Sequence, residues 1–193
     1  MRINKELQNR IDKAVKEEVN IVPYNPKWPS IFEKESEFLK QSFPSVISRI
    51  EHFGSTSIPN LVSKPIIDML VEVTSYKDTK REIVPKLVSL GYEYFWRPIF
   101  DKPPMYAWFI KRNQKGERTH HIHMVEKDSE LWDRTCFRDY LRSHPQVAKE
   151  YGNLKTKLAK DYPNDRITYT NKKTDFIAAV TNKAKKEYLK KIY

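Results

Sequence analysis

Two rhythms of hydrophobic and polar positions run along this chain, and together they predict its elements. Val46, Ser48 and Ile50 alternate with Ile47, Arg49 and Glu51 at a period of two, so Val46–Phe53 reads as a strand. Pro65–Val73 is an almost unbroken apolar run, consistent with a strand buried on both faces. Tyr92–Trp96, Met105–Arg112 and Glu117–Val125 complete the strands. The last two are joined by Asn113-Gln-Lys-Gly116, which has the length and glycine of a hairpin. Arg97–Pro104, with three prolines, reads as a loop.

Elsewhere the apolar spacing is helical. Ser30–Gln41 carries Ile31, Phe38 and Leu39. Thr79-x-x-Glu82 has the form of a capping box opening a helix through Ile83, Leu87 and Leu90, with Gly91 closing it. Ser129–Ser143 stops ahead of Pro145, and Pro145–Asp161 aligns Val147, Tyr151, Leu154 and Leu158. A last helix runs from about Asn171 to the end, with Phe176, Val180 and Ala184 on one face. Leu7, Ile11 and Ala14 or Val15 make a weak helical stripe near the N-terminus, and the proline-rich segment Val22–Pro29 is an ordered connector. The expected fold is α/β (α+β): a mixed sheet in the first two thirds flanked by helices, and a helical C-terminal third. Those last helices need the sheet to bury their stripes. The expected organisation is therefore a helical extension over 1–20 and a single domain over 21–193.

Composition narrows the function classes. Hydrophobic residues make up 39% of the chain and aromatics 12%, enough to bury a core. No apolar run is long enough to span a membrane, the N-terminus lacks the hydrophobic stretch of a signal peptide, and the single cysteine, Cys136, fits a reducing compartment. The expectation is a cytoplasmic protein. With 36 basic against 25 acidic residues the formal charge is +11, which favours polyanionic partners: nucleotides, CoA-like molecules or RNA. The C-terminal lysines alone read as a solvated helix face.

The candidate chemistry starts at Gly54-Ser55-Thr56, a turn between two strands that offers backbone N–H groups and hydroxyls to an anion. Asp68 lies in the apolar run that follows, where an unpaired carboxylate is costly to bury, so Lys64, a metal or a ligand must compensate it. Glu72 shares its face but sits roughly 13 Å further along an extended strand. Strand alternation puts His121 and His123 on one face and His120 on the other, and two imidazoles so spaced can bind a metal, grip phosphate or move a proton. His52 precedes the turn. Arg134, Arg138 and Arg142 share a helix face suited to oxyanions, and Lys155, Lys173 and Tyr169 extend that wall. Cys136 reads as a core thiol.

Tyr24-Asn-Pro-Lys-Trp28, His52-x-Gly-Ser-Thr-Ser57, Lys64-Pro-x-x-Asp68, His120-His-x-His123, Phe137-Arg-Asp-Tyr-Leu-Arg142 and Tyr151-x-x-Leu-Lys155 together resemble the GrpB family, over roughly residues 21–183. The resemblance implies a nucleotidyltransferase-like fold. Some relatives are joined to dephospho-CoA kinase, which points toward nucleotide or CoA metabolism. The wider nucleotidyltransferase pattern places Asp-x-Asp on the strand after the Gly-Ser turn; here only Asp68 is present, flanked on its face by Ile66 and Leu70, and Asn60 stands where relatives commonly have glycine. The expectation is a nucleotidyltransferase-like enzyme with Gly54, Ser55 and Thr56 on the phosphates. Asp68, His121 and His123 are then catalytic and hold a divalent metal, Mg²⁺ or Mn²⁺, while Lys64, Arg138 and Arg142 offset charge on the transferred group. His52 and Lys155 are further candidates. One alternative is a non-catalytic binding module for a nucleotide, a CoA-like ligand or RNA. Another is a metal-dependent hydrolase, for which the ion is Zn²⁺.

Overall fold

The computed structural model describes residues 17–99 and 102–192, so the expected helical stripe through Leu7 and Ile11 lies outside the described residues. Its elements are α1 (Trp28–Ser42), β1 (Ile47–His52), a 3₁₀ turn (Ser55–Ser57), β2 (Ile67–Val73), a helix over 76–89 here called α2, β3 (Glu93–Ile99), β4 (Lys102–Arg112), β5 (Arg118–Val125), a 3₁₀ turn (Glu130–Trp132), α3 (Asp133–Ser143), α4 (Pro145–Asp161), α5 (Arg166–Asn171) and α6 (Thr174–Ile192). The five strands form one mixed sheet in the order β1-β2-β5-β4-β3. β2 and β5 are parallel; the other neighbours are antiparallel.

The pleat sorts the sheet into two faces. Ile67, Met69, Val71 and Val73 of β2, Ile122 and Met124 of β5, and Ala107 and Phe109 of β4 pack with Trp28, Leu39 and Phe43 of the α1 region and Ile83 and Leu87 of α2. That is the main core. The intervening positions, Asp68 and Leu70 on β2 and His121 and His123 on β5, face the C-terminal helices. Ile58 and Leu61, just past the 3₁₀ turn, pack with Phe137 and Leu141 of α3, Tyr151 of α4 and Val180 of α6. The last helices therefore lie beside the polar face of the sheet rather than over the main core.

Three local readings change. The proline run expected to be a loop is carried by strands, with Pro98 paired to Met105 and Ile99 to Lys102. β3 is an edge strand, and β5 pairs with β4 only from Ala107 onward, so the prolines fall where no inner ladder needs their missing N–H. Helix α2 opens at Ser75, whose hydroxyl accepts from the Asp78 N–H at 3.0 Å; Thr79 lies within it, fully buried, donating to the Ser75 carbonyl at 2.8 Å. The stretch Thr79–Ile83 is π-helical. Asn60 adopts φ 62°, the left-handed region that favours glycine and that asparagine tolerates better than most residues.

Candidate functional site

The parallel register of β2 and β5 sets Asp68 beside His121. His121 Nδ1 lies 3.1 Å from Asp68 Oδ1, and its Nε2 lies 3.3 Å from an Arg118 Nη atom. A guanidinium only donates, so Nε2 accepts from Arg118 and Nδ1–H donates to Asp68. Burial pushes the His121 imidazole down to about 4, despite the carboxylate that favours its charged form. For Asp68 burial acts upward, but the His121 hydrogen bond and the surrounding positive charge outweigh it and hold the carboxyl at about 2. At neutral pH the pair is therefore a carboxylate and a neutral, tautomer-fixed imidazole.

Gly54 is required by this carboxylate. Its φ of −72° suits any residue, yet a Cβ built there would lie 2.0 Å from Asp68 Oδ2, 2.6 Å from its Cβ and 2.7 Å from its Cγ. The Phe53 N–H also donates to the Asp68 carbonyl at 3.1 Å. Glycine thus lets the turn lie directly on Asp68.

A cleft of about 610 Å³ opens over the pair, within the size range of small-molecule sites. Lys64, Arg97, Arg118, Arg134, Lys155, Arg166 and Lys173 line it, against the carboxylates of Asp68, Glu130 and Asp133. Seven cations around three carboxylates make the cleft an anion-accepting hollow. Gly54, Ser55, His121 and His123 also line it. Tyr151 lines it as well, and His123 Nδ1 lies 3.1 Å from the Tyr106 hydroxyl.

Four expected site residues are placed outside this lining. Thr56 is fully buried, donates to the Ile66 carbonyl at 3.2 Å and accepts from His52 Nε2–H at 2.9 Å, so it ties the turn to the start of β2. His52 also stacks on Phe32, with ring centroids 4.7 Å apart. Arg138 spends its guanidinium on Asp139, Glu51 and the His52 carbonyl, the last at 3.0 Å. Arg142 holds the Ser57 carbonyl at 2.7 Å and borders a separate groove. The two arginines are not positioned to grip a ligand over Asp68; they fasten α3 to the turn that carries Gly54. Glu72, at the far end of β2, accepts from Ser48 at 2.7 Å.

The expected metal set does not fit a resident ion. Both His121 nitrogens are engaged, and among the described residues no group of three or more His, Cys, Asp and Glu side chains gathers to hold a metal. The position two residues after Asp68, where a second acid would stand, is Leu70, fully buried with Tyr106, Val125 and Leu131.

Arg97, Arg118 and Arg166 were invisible to pattern reading. Arg97 falls in the proline run. Arg166 begins α5 after a turn. Alternation would put Arg118 on the face opposite His121, but the ladder slips between Lys111 and Arg112, at the residue paired with Arg118.

Fold and cleft define the class: a mixed-sheet α/β protein with a predominantly basic cleft over Asp68, on the sheet face opposite its main core. The chain belongs to the GrpB family, whose model ("GrpB protein") matches residues 18–183. It is 38% identical over 168 residues to the glutamate-rich protein GrpB of Alkalihalophilus pseudofirmus, covering 86% of this chain and 96% of that one. It is 40% identical over 176 residues to the UPF0157 protein YqkA of Bacillus subtilis, covering 89% of this chain but 48% of that longer protein. The crystal structure of the conserved protein GrpB from Enterococcus faecalis superposes with a TM-score of 0.79 at 35% identity, over 88% of this chain and 99% of that one. No helix among the described residues is long and apolar enough to cross a membrane.

Proposed function

We propose that the protein is a nucleotidyltransferase-like enzyme whose cleft binds a nucleotide or another phosphorylated small molecule, CoA precursors included. The observation that carries this reading is the charge arrangement: seven basic side chains outnumber three carboxylates around the cleft beside the Gly54–Ser55 turn, and Asp68 is the carboxylate that this turn lies on. Backbone N–H groups, ammonium and guanidinium ions suit phosphate oxygens. A bare carboxylate among them would repel the same phosphates unless a cation bridged the two. Mg²⁺ is commonly carried on phosphates and needs only one or two protein carboxylates, so Asp68 is the group that would meet a metal–nucleotide complex as it enters. The ion then arrives as part of the ligand.

Thermal melts with nucleotides and CoA precursors, each with and without Mg²⁺ or Mn²⁺, test this. Wild type is expected to gain several degrees with a cognate nucleotide, and more with the metal than without it. Asp68→Ala is expected to lose the metal-dependent part while keeping stabilisation by the phosphates alone. An Asp68→Ala protein that keeps the full metal-dependent gain contradicts the role given to Asp68.

The second reading, a binding module without turnover, is favoured by one observation: Leu70 occupies the place of the second acid on which two-metal transfer depends. Under that reading the same ligand binds, and it is recovered unchanged after prolonged incubation.

A further inference from the structure

Three lysines from separate segments converge where the C-terminal helices meet the cleft. Lys64 precedes β2, Lys155 lies on α4 and Lys173 joins α5 to α6. The Lys64 and Lys173 ammoniums lie 5.2 and 4.2 Å from the centroid of the Tyr169 ring, and that of Lys155 lies 4.8 Å from the Tyr151 ring. Lys155 is 2% exposed, and one of its three N–H donors reaches the Val62 carbonyl at 2.5 Å. Among the described residues no carboxylate lies within ion-pair distance of any of the three. Lys111, Arg112, Arg118 and Arg138, by contrast, each pair with a glutamate. Sequestering ammonium groups without counter-ions is costly, and it is offset when an anion arrives with its own charge.

We propose that Lys64, Lys155 and Lys173 form a subsite for a terminal phosphate dianion, with the Tyr169 and Tyr151 rings fixing the ammonium positions. The inference rests on the reading of the cleft as a phosphate-binding site and says where the terminal group goes. It also has a consequence for protons. Burial lowers all three lysines: Lys155 to about 7, Lys173 to about 8, and Lys64 well below its ordinary value. The cations facing them act in the same direction: Arg166 and Arg118 on Lys64, Arg134 and Arg166 on Lys173, and Lys173 on both other lysines. Asp68 alone opposes this. A dianion seated among them reverses the balance, so filling the subsite draws protons from solution at slightly alkaline pH.

The test is calorimetric titration with ATP at pH 8, where its terminal phosphate is ionised, in two buffers of different ionisation enthalpy, with adenosine as the uncharged control. Wild type is expected to take up about one proton per ATP bound and to bind adenosine far more weakly. Lys173→Met and Lys155→Met are each expected to weaken ATP about tenfold and to reduce the proton uptake. Lys155 is buried, so folding of its variant is checked by circular dichroism; Lys173 is partly exposed, and its variant serves if the other unfolds. ATP binding with no proton uptake, or equal affinity in wild type and Lys173→Met, overturns the subsite and leaves the cleft reading standing. Failure of wild type to bind ATP also overturns the subsite, while the cleft reading falls only if the other nucleotides and the CoA precursors give no thermal stabilisation either.

Discussion

Acidification from pH 6.5 to about 4 is expected to unfold this protein steeply, because it folds around neutral histidines. His52 and His121 are held at about 4 and His123 at about 3, in each case first by burial; His120 is lowered by burial as well. These groups are protonated near 6.5 in the unfolded chain, so below that pH the unfolded state binds protons that the folded state refuses. Their stabilising contribution is complete above pH 6.5 and is lost as pH falls toward the folded values. Each imidazole adds about 1.4 kcal/mol per pH unit within the window, and three together reach about 4 kcal/mol per unit, so a drop of two units rivals the stability of a whole domain. Asp68 acts elsewhere. Its carboxyl is held near 2 against an ordinary 3.8, so its contribution is present above 3.8 and fades as pH falls through 2. Urea titrations followed by circular dichroism between pH 7.5 and 4.5 measure the slope. A denaturation midpoint that stays flat from pH 7 to pH 5 contradicts the buried, neutral histidines.

Gly54→Ala is expected to be the most damaging small substitution in the cleft. The added methyl meets not only the mobile end of Asp68, at 2.0 Å, but also its Cβ, at 2.6 Å, which the strand backbone fixes. Rotating Asp68 away would break the His121 hydrogen bond and relieve only part of the overlap, so the turn must also lift from β2. Overpacking of this kind costs about 2 kcal/mol, or roughly 4–8 °C in Tm for a chain of this size. Any ligand that needs both the turn and the carboxylate should also bind more weakly. In an Asp68→Ala background the penalty should shrink without vanishing, since the Cβ contact remains; a double-mutant cycle reads the difference. A Gly54→Ala protein with wild-type Tm and ligand affinity would show that turn and carboxylate are not in contact.

How much of this was legible beforehand follows from what sequence patterns encode. The strand carrying Asp68 announced itself through an apolar run broken by a single charge. Alternation placed His121 and His123 on one face, which the register then brought beside Asp68. Helix α4 coincides with its predicted bounds because Pro145 starts it and its stripe is uninterrupted. The fate of polar groups was less legible. Arg134, Arg138 and Arg142 share a helical spacing, yet only Arg134 lines the cleft; Arg138 and Arg142 are taken by backbone carbonyls about 85 positions away in sequence, which no local period records. Thr56 looked like a phosphate ligand because it follows Gly-Ser, but the 3₁₀ turn directs its hydroxyl to the Ile66 carbonyl. Arg118 was hidden by the ladder slip, and Arg166 by lying in a segment with no apolar rhythm.

The cleft reading is tested most directly by a crystal structure of the protein grown with a nucleoside triphosphate and Mg²⁺. The account predicts phosphate density between the Gly54–Ser55 turn and Lys64, Lys155 and Lys173, with Asp68 facing the ion carried on the phosphates. Nucleotide bound instead in the separate groove beside Arg142 and Lys149, with the space over Asp68 holding only water, would contradict it.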